Sequence, residues 1–201
     1  MSAPAALTLR AEVARKALHA ATAALPIAWA YGALTAEQVR AALSAAVAIA
    51  VIVELLRRNA PSVQSRFLAA VGPLLRAREE HALTGATWLA LGMASVAWLA
   101  PERAAIAALW AAAVGDAAAA LAGRAVRALR RRPATGKTIA GAVACALATA
   151  LGARWLLAVT PGVAAALGVV AAAAEWPARP GDDNLRITLA VAVAATLPGL
   201  R

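Results

Sequence analysis

The chain has 201 residues, 63% of them hydrophobic and 15% charged, with nearly a third alanine and a formal net charge of +10. Soluble domains carry about 25% charged residues, so this composition excludes an ordinary soluble enzyme. The apolar residues come in long blocks separated by short charged patches, which is the pattern of a membrane protein built from helices.

In chain order, the blocks predict seven spans, at about 17–34, 38–56, 82–100, 104–123, 138–158, 160–176 and 185–200. The expected fold is therefore all-α: a polytopic transmembrane helical bundle forming one membrane domain over residues 1–201. The first block follows Arg10, Arg15 and Lys16 without a cleavage signal, so it is expected to be a retained first helix rather than a signal peptide. The single Cys145 falls inside a predicted span, where it reads as a small packing residue.

The distribution of cations orients the bundle. Counting loops alternately from a cytoplasmic N-terminus puts sixteen of the twenty Lys and Arg residues on one side and Arg40, Arg103, Arg154 and Arg201 on the other. That asymmetry is the positive-inside pattern, and it predicts a cytoplasmic N-terminus and an outer C-terminus. It also excludes a nucleic-acid binder, because the cations map to one membrane face. Trp29, Tyr31, Trp98 and Trp155 fall near predicted outer ends, where amphipathic rings favour the interface. Trp110 is predicted deeper in the bilayer, without an evident reason.

Of the ten carboxylates, only Glu37 and Glu102 fall outside; Glu12, Glu54, Glu79, Glu80, Asp116, Glu175, Asp182 and Asp183 fall at or near the cytoplasmic side. Carboxylates and cations converging on one face predict a site for a metal-bound polyphosphate, since Mg²⁺ takes carboxylate and phosphate oxygens together. Asp116 stands out in GDAAAALAGR. A carboxylate near mid-bilayer costs roughly 2.5–3.5 kcal/mol even on lenient scales, and an ionisable group there points to function. Ala119, Ala120 and Gly123 share its helix face, leaving room for a ligand or another backbone.

The stretch RRRPATGKTIAG is not a phosphate-binding P-loop: Arg131 stands where the leading glycine is required, and no strand precedes it. The chain uses Arg eighteen times and Lys only twice. Lys16 and Lys137 are thus candidates for phosphate contact, where a compact ammonium serves as a point charge. His19 and His81 lie at predicted cytoplasmic span ends. No His or Cys spacing suits zinc, and no nucleophile elbow or dinucleotide fingerprint is present.

Five stretches, in order, resemble the dolichol kinase, phytol kinase and CTP-dependent diacylglycerol kinase family of small membrane enzymes. They are RKALH at 15–19, the Glu54-to-Arg57 end of the second span, REEHALTGATW at 78–88, VGDAAAALAGR followed by GKT, and EWPARPGDDNLRI. Together they cover nearly the whole chain. There are departures: Ile139, Ala140, Gly141 and Ala142 follow Lys137-Thr138 where the family has Glu-Gly-Ser, and Thr188 stands where a proline is common. If that Glu is a metal ligand, Glu175 or Asp182 must take its place.

The resemblance implies transfer of the γ-phosphate of CTP, with Mg²⁺, to the hydroxyl of a membrane lipid alcohol: a polyprenol or dolichol, phytol or a related isoprenol, or diacylglycerol. It implies Asp116, Lys137, Glu175, Asp182 and Asp183 as catalytic residues. Mg²⁺ is expected on Asp116, Asp182, Asp183 and Glu80. The nucleotide and its phosphates are expected on Arg15, Lys16, His19, Arg124, Lys137, Thr138 and Asn184. The proton acceptor stays open among Glu175, His19 and the Asp pair. Two other readings also stay open: a CTP-dependent lipid cytidylyltransferase, which would release pyrophosphate, and a non-catalytic membrane protein derived from the kinases. Alanine and glycine helix faces permit a homodimer.

Overall fold

The computed structural model describes residues 8–129, 136–176 and 183–197. Of these residues 86% are helical and none is in a strand. Threonine caps five of the ten described α-helices. Thr8 caps α1 (Leu9–Ala21), Thr35 with Gln38 closes a capping box on α3 (Ala36–Asn59), and Thr84 caps α5 (Gly85–Leu99). Thr138 caps α8 (Ile139–Leu157) and Thr160 caps α9 (Pro161–Glu175). Each hydroxyl accepts an N–H that the first helical turn leaves without a partner.

The remaining helices are α2 (Ala24–Ala30), α4 (Pro61–Val71), α6 (Glu102–Trp110), α7 (Asp116–Leu129) and α10 (Asp183–Thr196). α6 and α7 are joined by a π-helical turn, Ala111–Gly115, and run on as one long helix. The first predicted span is two helices, α1 and α2, separated at Thr22 and Ala23. There the Thr22 hydroxyl donates to the His19 carbonyl at 2.6 Å. α4 falls between the second and third predicted spans; Pro61 starts it at the first helical position, where its missing N–H costs nothing.

Three helices are long and apolar enough to cross a membrane: Ala36–Asn59, Glu102–Ala128 and Ile139–Leu157. The helices Gly85–Leu99 and Pro161–Glu175 are apolar but shorter. At 15 residues each, they span roughly 22 Å against a hydrocarbon core of about 30 Å.

The Glu102–Ala128 helix forms the centre, with 72% of its apolar window buried against 17% for α3. Ala104, Ala105, Ala107, Ala108, Ala111, Ala112 and Ala113 are all buried along it. α5, α8 and α10 pack around this alanine spine. The small residues let backbones approach: a Cβ on Gly141 would lie 2.7 Å from the Ala119 carbonyl oxygen, and one on Gly168 would lie 2.4 Å from that of Ala146. Helix association of this kind relies on close packing rather than on large apolar side chains.

The aromatic expectations divide. Tyr31, Trp98 and Trp155 are exposed, whereas Trp29 is core, only 3% exposed. Trp110 has a structural reason: its indole N–H donates to the Ala148 carbonyl at 2.9 Å and its ring meets the edge of Trp155.

Candidate functional site

The N-terminus of α8, the C-terminus of α9 and the N-terminus of α10 lie at one end of the bundle. They surround the part of the central helix where Asp116 begins α7. Asp116, Glu175 and Asp183 each offer a carboxylate oxygen, and these oxygens all lie within 4.8 Å of one another. Asp116 and Glu175 are buried, and Asp183 is partly so.

Cations match the three acids. Lys16, only 3% exposed, donates from α1 to Asp116 across 100 residues of sequence. Lys137, just before α8, donates to Glu175 and, at 2.7 Å, to Asp183. Arg186 reaches the other Asp183 oxygen at 2.7 Å from one helical turn on. Both lysines of the chain are thus spent on this cluster. Burial alone would lower the Lys137 pKa, but the hydrogen bonds and charges of Asp183 and Glu175 outweigh it and raise it above the ordinary lysine value.

His19 lies one turn beyond Lys16 on α1. Its Nε2 contacts the Ala112 carbonyl oxygen at 2.7 Å and lies 3.6 Å from an Asp116 oxygen. Arg15 pairs with Glu12 at 2.9 Å. Thr138 uses its hydroxyl as the α8 cap, accepting from the Gly141 N–H at 3.0 Å. Asn184 is buried and donates to the Gly85 carbonyl at 3.1 Å. Its own backbone carbonyl accepts from the Thr188 hydroxyl. Arg124 is half-buried on α7, two turns beyond Asp116. Asp182 lies outside the described residues, as do Arg130, Arg131, Arg132 and Arg179.

Glu80, expected to bind metal, is not brought to the cluster. It is exposed, and its backbone carbonyl accepts from Arg57 at 2.9 Å and Gln64 at 3.1 Å. The buried acid of that pair is Glu79, 3% exposed. One Glu79 oxygen accepts from the Arg76 N–H at 3.1 Å. The other is buried without a hydrogen-bond partner among the described residues and sits 3.2 Å from where a Cβ on Gly85 would be, close to Arg15 and Asn184. Two adjacent glutamates in REEH cannot be told apart by sequence, because the short 3₁₀ turn Ala77–Glu80 decides which one faces inward.

A second network supports the site from below. Arg57 pairs with Glu54 at 2.6 Å and donates to the carbonyls of Glu79, Glu80 and Ala82. Glu54 in turn accepts from the Thr84 N–H at 2.8 Å and the Thr87 hydroxyl at 3.0 Å. The Glu54 and Arg57 side chains thus pin the 77–84 segment to the end of α3.

The donor set suits a hard divalent cation, being all carboxylate oxygen with cations at hand to balance it. Ligands on opposite sides of one Mg²⁺ are about 4.2 Å apart, given Mg–O distances of 2.0–2.1 Å. At most one pair among three octahedral ligands is opposite and the others are adjacent, about 2.9 Å apart, so the three acids would have to draw together to share one ion. The Lys137 ammonium now lies between two of them, where such an ion would be shared. No family model, curated protein or solved structure matches this chain.

Proposed function

We propose that the chain is a CTP-dependent kinase that phosphorylates the hydroxyl of a membrane lipid alcohol. The observation that carries this reading is the convergence of Asp116, Glu175 and Asp183 within 4.8 Å, with Lys137 held between two of them. The motif order from Arg15 to Ile187 supports it. We further propose seven membrane-embedded segments, with the N-terminus and the site on the cytoplasmic side and the C-terminus outside.

Phosphoryl transfer is served mainly by positioning and charge stabilisation, with little covalent chemistry asked of the protein. A Mg²⁺ held by Asp116, Glu175 and Asp183, with Asp182 nearby in sequence, would neutralise phosphate oxygens. Lys16 pairs with Asp116 in a buried setting, so that the carboxylate is held in position facing the nucleotide. Lys137 moves from its carboxylates to the phosphates, where a mobile ammonium suits a shifting charge. The alcohol oxygen attacks the γ-phosphorus, the bond to CDP breaks, and a cluster carboxylate takes the alcohol proton. A buried acid near the membrane is explained if the acceptor is itself a lipid.

Label transfer tests this. Purified protein in liposomes receives γ-labelled CTP or ATP, Mg²⁺, and a panel of polyprenol, phytol, farnesol and diacylglycerol. The expected result is label from CTP in one alcohol, with CDP released. Absence of label from every donor, in protein that binds Mg²⁺–CTP, would overturn the reading. A CDP-lipid with pyrophosphate released would replace it with the cytidylyltransferase.

A further inference from the structure

The central helix changes its hydrogen-bonding pattern just before Asp116. The Asp116 N–H bonds five residues back, to the Ala111 carbonyl, across the π-turn Ala111–Gly115. In an α-helix that N–H would serve Ala112. The Ala112 carbonyl therefore loses its α-helical donor, and it is the carbonyl that His19 Nε2 meets at 2.7 Å. A buried carbonyl needs a partner, and here a side chain from another helix provides it. The imidazole is buried, with its side chain 9% exposed, and a carbonyl only accepts, so Nε2 carries the proton.

A π-turn holds one more residue than the α-helical turn it replaces, and such turns gather at functional sites. If residues 111–115 relaxed to α-helix, α7 would turn by about 100° relative to α6. Asp116 would then leave both Lys16 and the two partner carboxylates. We propose that His19 is a positioning residue: it latches the π-turn by holding the Ala112 carbonyl, and so sets the rotation at which Asp116 faces the site. This rests on the phosphoryl-transfer reading for its purpose, though not for its geometry. α1 then does two jobs from one face, with Lys16 pairing Asp116 and His19 fixing the turn that aims it.

The test compares His19→Ala, His19→Gln, deletion of Ala113, and the deletion combined with His19→Ala. Gln keeps an N–H able to reach the carbonyl. Deleting one residue of the π-turn restores a continuous α-helix with both flanking faces in place, and so removes the need for a latch. Two readouts are taken in each background. One is label transfer to lipid. The other is the Lys16–Asp116 coupling, measured as the non-additivity of Lys16→Met and Asp116→Asn in thermal unfolding.

His19→Ala is expected to lose the coupling and at least 10-fold in transfer rate, and His19→Gln to keep most of both. Deletion of Ala113 is expected to return both to the His19→Ala background. A histidine acting as proton acceptor or phosphate ligand would not be rescued by a deletion on another helix. Coupling that survives His19→Ala, or that the deletion fails to restore, overturns the latch. If His19→Ala does not fold, His19→Asn, too short to reach Ala112, takes its place. Coupling that follows the expected pattern in a protein that transfers no label sustains the latch and removes the kinase reading alone.

Discussion

Trp110 fills the space that a side chain on Gly152 would need: a Cβ placed there would lie 1.8 Å from the indole nitrogen and 2.1 Å from Cε2. The ring cannot swing away without giving up its hydrogen bond to Ala148 and its edge contact with Trp155. Gly152→Ala is therefore expected to cost about 1–3 kcal/mol through overpacking, read as a lowered melting temperature in detergent. Gly162→Ala, which meets nothing within 4 Å, is the matched control and should stay within about 0.5 kcal/mol of the parent.

Arg57→Ala should be among the most damaging single changes away from the carboxylate cluster. It takes the buried cation from Glu54, 4% exposed, and frees three backbone carbonyls of the 79–82 stretch. Removing one partner of a buried pair costs about 3–5 kcal/mol. Limited proteolysis should show new cleavage within residues 72–84. Arg58→Ala, at a side chain 44% exposed whose Nε lies 3.7 Å from Glu54, should cost at most about 1 kcal/mol and leave the cleavage pattern unchanged.

Lys137→Met separates two roles of one ammonium. Without it, Glu175 and Asp183 lose their shared ammonium and only Arg186 remains on Asp183, so bare Mn²⁺ should bind at least 10-fold more tightly than to the parent in a spectroscopic titration. CTP-dependent label transfer should fall at least 100-fold over the same substitution. Unchanged Mn²⁺ affinity would mean that the ammonium does not compete for the metal position.

The dependence on pH has two flanks. Burial alone would raise the Glu12 pKa, but the hydrogen bond from Arg15 and the charges of Arg15, Lys16 and Arg76 bring it below the ordinary carboxylate value. A carboxyl lowered by folding adds stability above its unfolded pKa of about 4.3 and loses it as pH falls. Lys137 is raised instead. Its contribution is complete below the unfolded lysine value of about 10.4 and is lost as pH rises through the folded one. Melting temperature should accordingly decline on both sides of a broad plateau. Lys137→Met should lessen the alkaline decline and leave the acid one.

The orientation of the chain is open to direct measurement. Reporters that mature only in a reducing cytoplasm, fused before residue 1 and after residue 201, should be active at the N-terminus and inactive at the C-terminus. Activity at both ends would require an even number of crossings.

Local chemistry carried most of the helical layout. Alanine-rich blocks between charged patches located most of the helical segments from 17 onward, though not α4, because hydropathy acts within a few residues of chain. Asp116, Lys137, Glu175 and Asp183 were legible as a charge pattern on one predicted face. Their mutual distances were not, since those depend on how α7, α8, α9 and α10 cross. Tertiary packing alone decided that Lys16 pairs with Asp116, that Glu79 rather than Glu80 turns inward, and that Trp29 is core while Trp155 is exposed. It also decided the π-turn: in AAAVG, Gly115 permits a local break but does not by itself specify one. The turn exists where a histidine from another helix takes up the carbonyl that such a departure frees.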